Sequence, residues 1–325
     1  MSKCFLVQLK PVDDRTDPVL KKLQGKTIVH SFCGMGWPMS EFVQSGLTYW
    51  LSDNKAKYKE KYARYAKEQY LKPDELYKSR SLSVALNCYD EMQPGDYVLT
   101  RLFDSGECYV GEIKSKAHYL QEIPSDFQEA SNYSWVVDVN WKYIAPFLSI
   151  PNTLRGLMQG RMNTVQRVKS DSIQSKIIPQ LYAGRIEKIP LHKTNFMDAL
   201  DSLDLEDLIA MYIIHENSNE GEEYHVLPSS CKVNEPTYEF SIVCGKQRIT
   251  CQVKNNKEVD VRKYYPLACK FKAIYIFSGK NDYDKDAYFD KPDNLILISH
   301  KELYAYMKKT AYFSDALSAY YVLTD

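Results

Sequence analysis

The 325-residue sequence predicts an α+β chain of two domains, a small N-terminal β-barrel with helices followed by a C-terminal α/β layer. Three observations predict it. The chain is long enough to build two separate cores. Short alternating segments with glycine turns crowd the stretch from about residue 93 to 145, a pattern suited to a small barrel. From residue 201 a helical stripe precedes three strand-like segments, then two more strands and a helix. The expected division is residues 1–170, a connector with some helix at 171–199, and residues 200–325.

Taken in order, "KTIVHSFCGMGW" predicts a strand and a glycine-bearing turn, and "SEFVQSGLTYWLSD" a short helix and a strand. Residues 54–80 are polar, with tyrosines at helical spacing, and read as one or two exposed helices rich in lysine. "PGDYVLTRLFDSGECYVGEI" predicts two strands joined by an Asp-Ser-Gly turn, and "SWVVDVNWKYI" another strand with two tryptophans. "DSLDLEDLIAMYIIHE" has a capping start and an apolar stripe at Leu205, Leu208, Ile209, Tyr212 and Ile213, which predicts a helix. "EEYHVLPSS", "TYEFSIVCG" and "QRITCQVKN" predict strands, as do "FKAIYIFSG" and "NLILISH", and "KELYAYMKK" predicts a helix.

Lys+Arg and Asp+Glu balance at 42 each, so net charge alone implies no nucleic-acid partner. The distribution is uneven. Residues 1–170 carry 23 basic and 19 acidic side chains, and the remainder 19 and 23. Between residues 139 and 170 stand Lys142, Arg155, Arg161, Arg167 and Lys169 with no acid among them. A phosphate-facing surface and a solvated loop face both explain that bias. The eight cysteines form no CxxC pair and no zinc-type cluster, so a reducing cytoplasm is expected. No run of about eighteen apolar residues predicts a membrane span, and no secretory leader is expected. Ser229 and Ser230 have no triad partners at recognisable spacing, which excludes a serine hydrolase on this reading.

The stretch from residue 237 to 256, "TYEFSIVCGKQRITCQVKNN", carries the chemistry. Side chains alternate along a strand, so Thr250, Gln252 and Lys254 share one face while Cys251 and Val253 take the other. With a turn near Gly245–Lys246, antiparallel pairing carries Glu239 to the end of the second strand. Glu239, Gln252 and Lys254 then converge. A hard cation such as Mg²⁺ takes oxygen ligands of this kind, and a lysine beside it orients water and meets developing negative charge. The solvent face of a plain hairpin is the competing explanation, and Glu206 in "LDLEDLIAMYI" reads equally as a first-turn acid that complements the helix dipole.

On these residues, 200–310 resembles the PD-(D/E)XK nuclease superfamily, and within it the Mrr-like restriction endonucleases. The resemblance implies a restriction-endonuclease-like domain with a mixed central sheet. It places Glu239 at the first acid position, Gln252-Val253-Lys254 at the (E/Q)-x-K position and Glu206 at the helix glutamate. Two departures stand out: the first acid is Glu rather than Asp, and Gln replaces the commoner Glu, which removes one negative charge. The implied cofactor is Mg²⁺ or Mn²⁺, held by Glu239 and Gln252, with Lys254 positioning the attacking water and Glu206 in support.

The barrel region, roughly 25–170, loosely resembles the PUA/EVE-type domains, which hold a modified base in an aromatic pocket. That resemblance makes Trp37, Trp50, Trp135 and Trp141 the stacking candidates and Arg155, Arg161 and Arg167 the phosphate contacts. Burial in a barrel core explains each tryptophan as well. Together the two resemblances imply a cytoplasmic, metal-dependent DNA endonuclease of restriction or anti-phage defence type, directed to base-modified phage DNA. A homodimer on DNA, a partner protein of a defence system and no membrane association are expected with it. A strictly monomeric protein–DNA complex with full cutting activity would count against the dimer. The alternatives are a catalytically degenerate, nucleic-acid-binding subunit of a defence complex, and an RNA-directed reader or nuclease.

Overall fold

The computed structural model describes residues 2–9, 18–35, 64, 87–119, 135–159, 165–218, 223–227, 238–255, 257–283 and 288–324. The chain is mixed α+β and divides into two compact units, Met1–Ile186 and Glu187–Asp325. The stretch expected to connect them, 171–199, is itself divided between the two. Among the described residues no helix is long and apolar enough to cross a membrane.

The first unit is built on a seven-stranded sheet that curls into a half-barrel. β1 (Cys4–Val7) lies between β3 (Tyr97–Arg101), which it meets in parallel, and β7 (Val165–Arg167), which it meets antiparallel. β3 and β4 (Glu107–Ile113) form the expected hairpin. Its turn closes with Gly106 at φ +69°, a left-handed conformation that glycine adopts without steric cost. β4 then pairs with the long strand β6 (Trp135–Pro146). The N-terminal part of β6 also pairs with β2 (Phe32–Met35) and β5 (His118–Tyr119). Inward-facing Phe5, Val7, Val98, Ile113, Val137 and Val139 supply much of the core.

One expectation is corrected here. Lys26–Val29 reads as a strand but belongs to helix α1 (Pro18–Val29). The reason is non-local. Buried Gln24 donates to the Leu9 carbonyl at 2.6 Å and accepts from the Phe103 amide at 2.9 Å, which holds the helix against the sheet. Tertiary bonds of this kind outweigh the β preference of a Thr-Ile-Val run. The helix expected within the connector is α3 (Ile173–Ala183), which follows α2 (Asn152–Gln159). α3 is capped by Ser172 at its start and by Gly184 in the left-handed region at its end, and it buries Ile173, Ile177 and Ile178. Residues 36–63 and 65–86, where a short helix, a strand and basic helices are expected, lie outside the described residues; Arg64 is helical and exposed.

The second unit contains a five-stranded mixed sheet. Helix α4 (Ser202–Asn217) precedes it. Asp201 and Asp204 form a reciprocal capping box at its start, and Leu205, Leu208, Ile209 and Ile213 are fully buried, so the predicted stripe is the packing face. β9 (Tyr224–Val226), β10 (Phe240–Cys244) and β11 (Gln247–Lys254) run antiparallel to one another. β11, β12 (Ala273–Ser278) and β13 (Leu295–Leu297) run parallel. β11 is therefore the strand at which the sheet changes sense. The crossover from β11 to β12 carries a 3₁₀ segment, Val261–Lys270, which packs Val261 and Tyr264 over Ile274, Ile276, Leu295 and Leu297. Helices α5 (His300–Lys309) and α6 (Ala311–Ser318) follow. The final strand β14 (Tyr321–Leu323) pairs in parallel with β8 (Ile189–Leu191) as a separate two-stranded sheet.

Candidate active site

The hairpin β10–β11 sets the geometry. Phe240 pairs with Cys251 and Cys244 with Gln247, leaving Gly245 and Lys246 as the turn. Gly245 takes φ +56°, which a glycine supplies without strain. Just before β10, the Glu239 amide donates to the Cys251 carbonyl at 2.8 Å, which ties Glu239 to β11. Its side chain meets Gln252 and Lys254 on their shared face. Cys251 and Val253 point to the other face and are buried.

The three polar groups meet at one atom. Oε1 of Glu239 accepts from Gln252 Nε2 at 3.0 Å and from the Lys254 ammonium in a short ion pair. Gln252 is 2% exposed, whereas Lys254 keeps 41% of its side chain exposed. The lysine therefore has an open side, and the amide is sealed in. The carbonyl of that amide accepts from the Tyr264 hydroxyl at 3.1 Å. Burial pushes the Tyr264 phenol up to about 12, with the charges of Cys251 and Glu239 adding to the effect, so it remains a donor at neutral pH.

Glu206, on the second turn of α4, lies within electrostatic reach of this group. Its carboxyl is pushed up to about 7, first by desolvation, then by the negative charge of Glu239 and of Asp207, while Lys254 pulls the other way. Cys251 is raised well above the usual thiol range by burial and by Glu206 and Glu239, and is a packing residue. Two carboxyls that repel each other in a partly desolvated place offer the oxygen chemistry a hard cation takes. No group of three or more His, Cys, Asp or Glu side chains gathers at one point among the described residues. A cation here would therefore draw on the free oxygen of Glu239 and on Glu206, with water or substrate oxygens completing its shell. The carbonyl of Gln252, expected as a ligand, is already engaged by Tyr264.

Tyr264 is the residue that the sequence reading missed. A buried glutamine needs an acceptor and a donor, so its position implies a partner for the carbonyl. Nothing in the spacing picks that partner from the 26 tyrosines.

The recognition candidates of the first unit separate. Trp37, Trp50 and Arg161 lie outside the described residues. Trp135 opens β6, paired with Met35 and Tyr119. Trp141 packs against the core and donates Nε1 to the Phe32 carbonyl at 3.1 Å, so its polar edge is spent inside the protein. Arg167 pairs with Glu91 at 3.1 Å. Arg155 sits half-buried on α2.

No family model matches the chain, and no curated protein matches it. Among solved structures, the crystal structure of protein Atu2648 from Agrobacterium tumefaciens is similar at 13% identity, over 56% of this chain and 93% of that chain, with a TM-score of 0.22. A likeness of that size carries no argument about fold or function.

Proposed function

We propose that the chain is a metal-dependent DNA endonuclease of the PD-(D/E)XK type, acting in restriction or anti-phage defence, with residues 200–325 as its nuclease domain. The observation that carries this reading is the convergence of Gln252 and Lys254 on one oxygen of Glu239, with Glu206 in electrostatic reach. The group stands on the strand where an antiparallel hairpin gives way to parallel strands. Restriction-endonuclease-like domains use this order of helix glutamate, acid and (E/Q)-x-K.

A divalent cation, when bound, would polarise the phosphoryl oxygen and sharpen a water as nucleophile. Glu239 and Glu206 are the residues that would hold it. Lys254, fixed at one N–H by Glu239, has its other two N–H bonds to orient the attacking water and to meet charge developing on the phosphate. Gln252 and Tyr264 hold Glu239 in place beneath the reacting atoms. The first unit, read as a PUA/EVE-like domain, would supply recognition of DNA carrying a modified base.

The test is incubation of the protein with modified phage DNA, unmodified plasmid and RNA, each with Mg²⁺ or Mn²⁺, beside its Lys254→Ala variant. Cleavage of DNA by the wild type, reduced at least a hundredfold in the variant, is the expected result. Equal cleavage by both proteins would remove Lys254 from the chemistry. One observation favours a second reading, a catalytically degenerate, nucleic-acid-binding subunit of a defence complex: the Gln252 carbonyl is taken by Tyr264. Cation binding that depends on Glu239 separates the two, because a degenerate fold has no use for it.

A further inference from the structure

We infer that Gln252 is a positioning residue and not a cation ligand: Tyr264 locks its amide so that the NH₂ group holds Glu239 while the carbonyl is withheld from any metal. The inference rests on the nuclease reading of the site and departs from the role that the (E/Q)-x-K pattern assigns to this position.

A side-chain amide has two orientations in any pocket, and its neighbours choose between them. Here the choice is decided on both sides. The Nε2 end faces a carboxylate oxygen at 3.0 Å, a charge-assisted bond. The Oε1 end faces a phenol at 3.1 Å, which donates to it. Turning the amide over would press its carbonyl against the Glu239 carboxylate, acceptor to acceptor. A cation or a proton between the two oxygens would be needed to relieve that contact.

The place where such a cation would stand is already in use. Glu239 Oε1 receives both the Gln252 NH₂ and the Lys254 ammonium. A second positive ion at that oxygen would lie against the lysine charge. The other oxygen, Oε2, receives neither of these donors and is the one left for a hard cation. Gln252 therefore fixes which oxygen of Glu239 is presented, and Tyr264 fixes Gln252. Burial reinforces the arrangement, since the glutamine is 2% exposed and its amide has a third neighbour in the Val253 carbonyl at 3.4 Å.

The experiment measures the Mn²⁺ dissociation constant of the full-length protein by electron paramagnetic resonance, for the wild type, Glu239→Gln and Gln252→Met. Methionine keeps the volume and removes both polar ends of the amide. The expected pattern is a loss of tenfold or more for Glu239→Gln and a smaller loss for Gln252→Met, since Lys254 still holds the same oxygen of Glu239. The single-turnover cleavage rate of Gln252→Met at saturating Mn²⁺ falls at the same time, which separates positioning from ligation. Loss of cation affinity in folded Gln252→Met, to the extent seen in Glu239→Gln, would overturn the inference and leave the nuclease reading standing. A wild type that binds no Mn²⁺ would overturn both. The wild type also gives a direct answer without substitution. The Gln252 NH₂ resonances in a ¹H–¹⁵N spectrum should keep their positions as Mg²⁺ is added, and a large shift that reports turnover of the amide would overturn the inference.

Discussion

Replacing Gln252 by glutamate would restore the commoner E-x-K pattern, and the structure says what this does to the protein without a metal. The substitution removes an N–H donor that reaches the Glu239 carboxylate at 3.0 Å, a bond to a charged group worth about 1.5–3 kcal/mol. It also sets a second carboxyl against Glu239 at a position 2% exposed. Two carboxyls that close do not both ionise, so one takes up a proton and its pKa rises by roughly 2–3 units. At about 1.36 kcal/mol per unit, that is about 3–4 kcal/mol when the pH stands above the raised value. The Lys254 ammonium on the same oxygen offsets part of it.

The sign follows from proton binding. The folded variant holds a proton that the unfolded chain releases near pH ~4.3. The penalty is therefore absent below that pH, grows through the window up to the raised pKa, and is complete above it. At low pH the introduced carboxyl also donates its own O–H to Glu239 and replaces the lost bond. Urea unfolding of both proteins in EDTA should show the variant about 1 kcal/mol less stable at pH 5 and about 3–4 kcal/mol less stable at pH 8. A difference from wild type that is the same at pH 5 and pH 8 would refute the placement of residue 252 beside Glu239.

Other outcomes follow from the same geometry. Carbon-13 NMR of Glu206 should give a titration midpoint of about 7, moved down by Glu239→Gln, which removes a repelling charge, and up by Lys254→Ala, which removes an attracting one. Because that carboxyl is raised above its unfolded value, its contribution to stability is present at acid pH and is lost as the pH climbs through about 7. Gly279→Ala should lower thermal stability by about 1–3 kcal/mol, since a Cβ there would run into the backbone carbonyl of Asn255. An unchanged melting temperature would mean that this close approach of β11 and β12 is not kept.

The parts of the fold that were legible in the sequence are those set by local rules. The Asp104-Ser105-Gly106 turn, the capping start at Asp201 and the Gly245–Lys246 turn each follow from residues within a few positions of one another. The alternation of Gln252 and Lys254 on β11, with a turn of known position, was enough to bring Glu239 to them. The features that escaped depend on distant partners. α1 is held by contacts from Leu9 and Phe103 to Gln24. The strand β14 exists because β8, some 130 residues earlier, offers it an edge. Tyr264 reaches Gln252 from a 3₁₀ segment whose sequence carries no helical or strand period. For Trp141, the burial that competes with a stacking role is what the contacts show, with the ring packed on the core and Nε1 donated to the Phe32 carbonyl.

The two-residue turn at Gly245–Lys246 makes the hairpin a ruler. Glu239 reaches Gln252 because the paired arms on either side of the turn, Phe240–Cys244 and Gln247–Cys251, are of equal length. An extra residue inserted into β10 would leave only two outcomes. Either the strand expels it as a bulge and keeps the acid where it is, or the strand slips and swings Glu239 to the face occupied by Cys251. The hairpin therefore tolerates changes of residue type at its tip far better than changes of length along its arms.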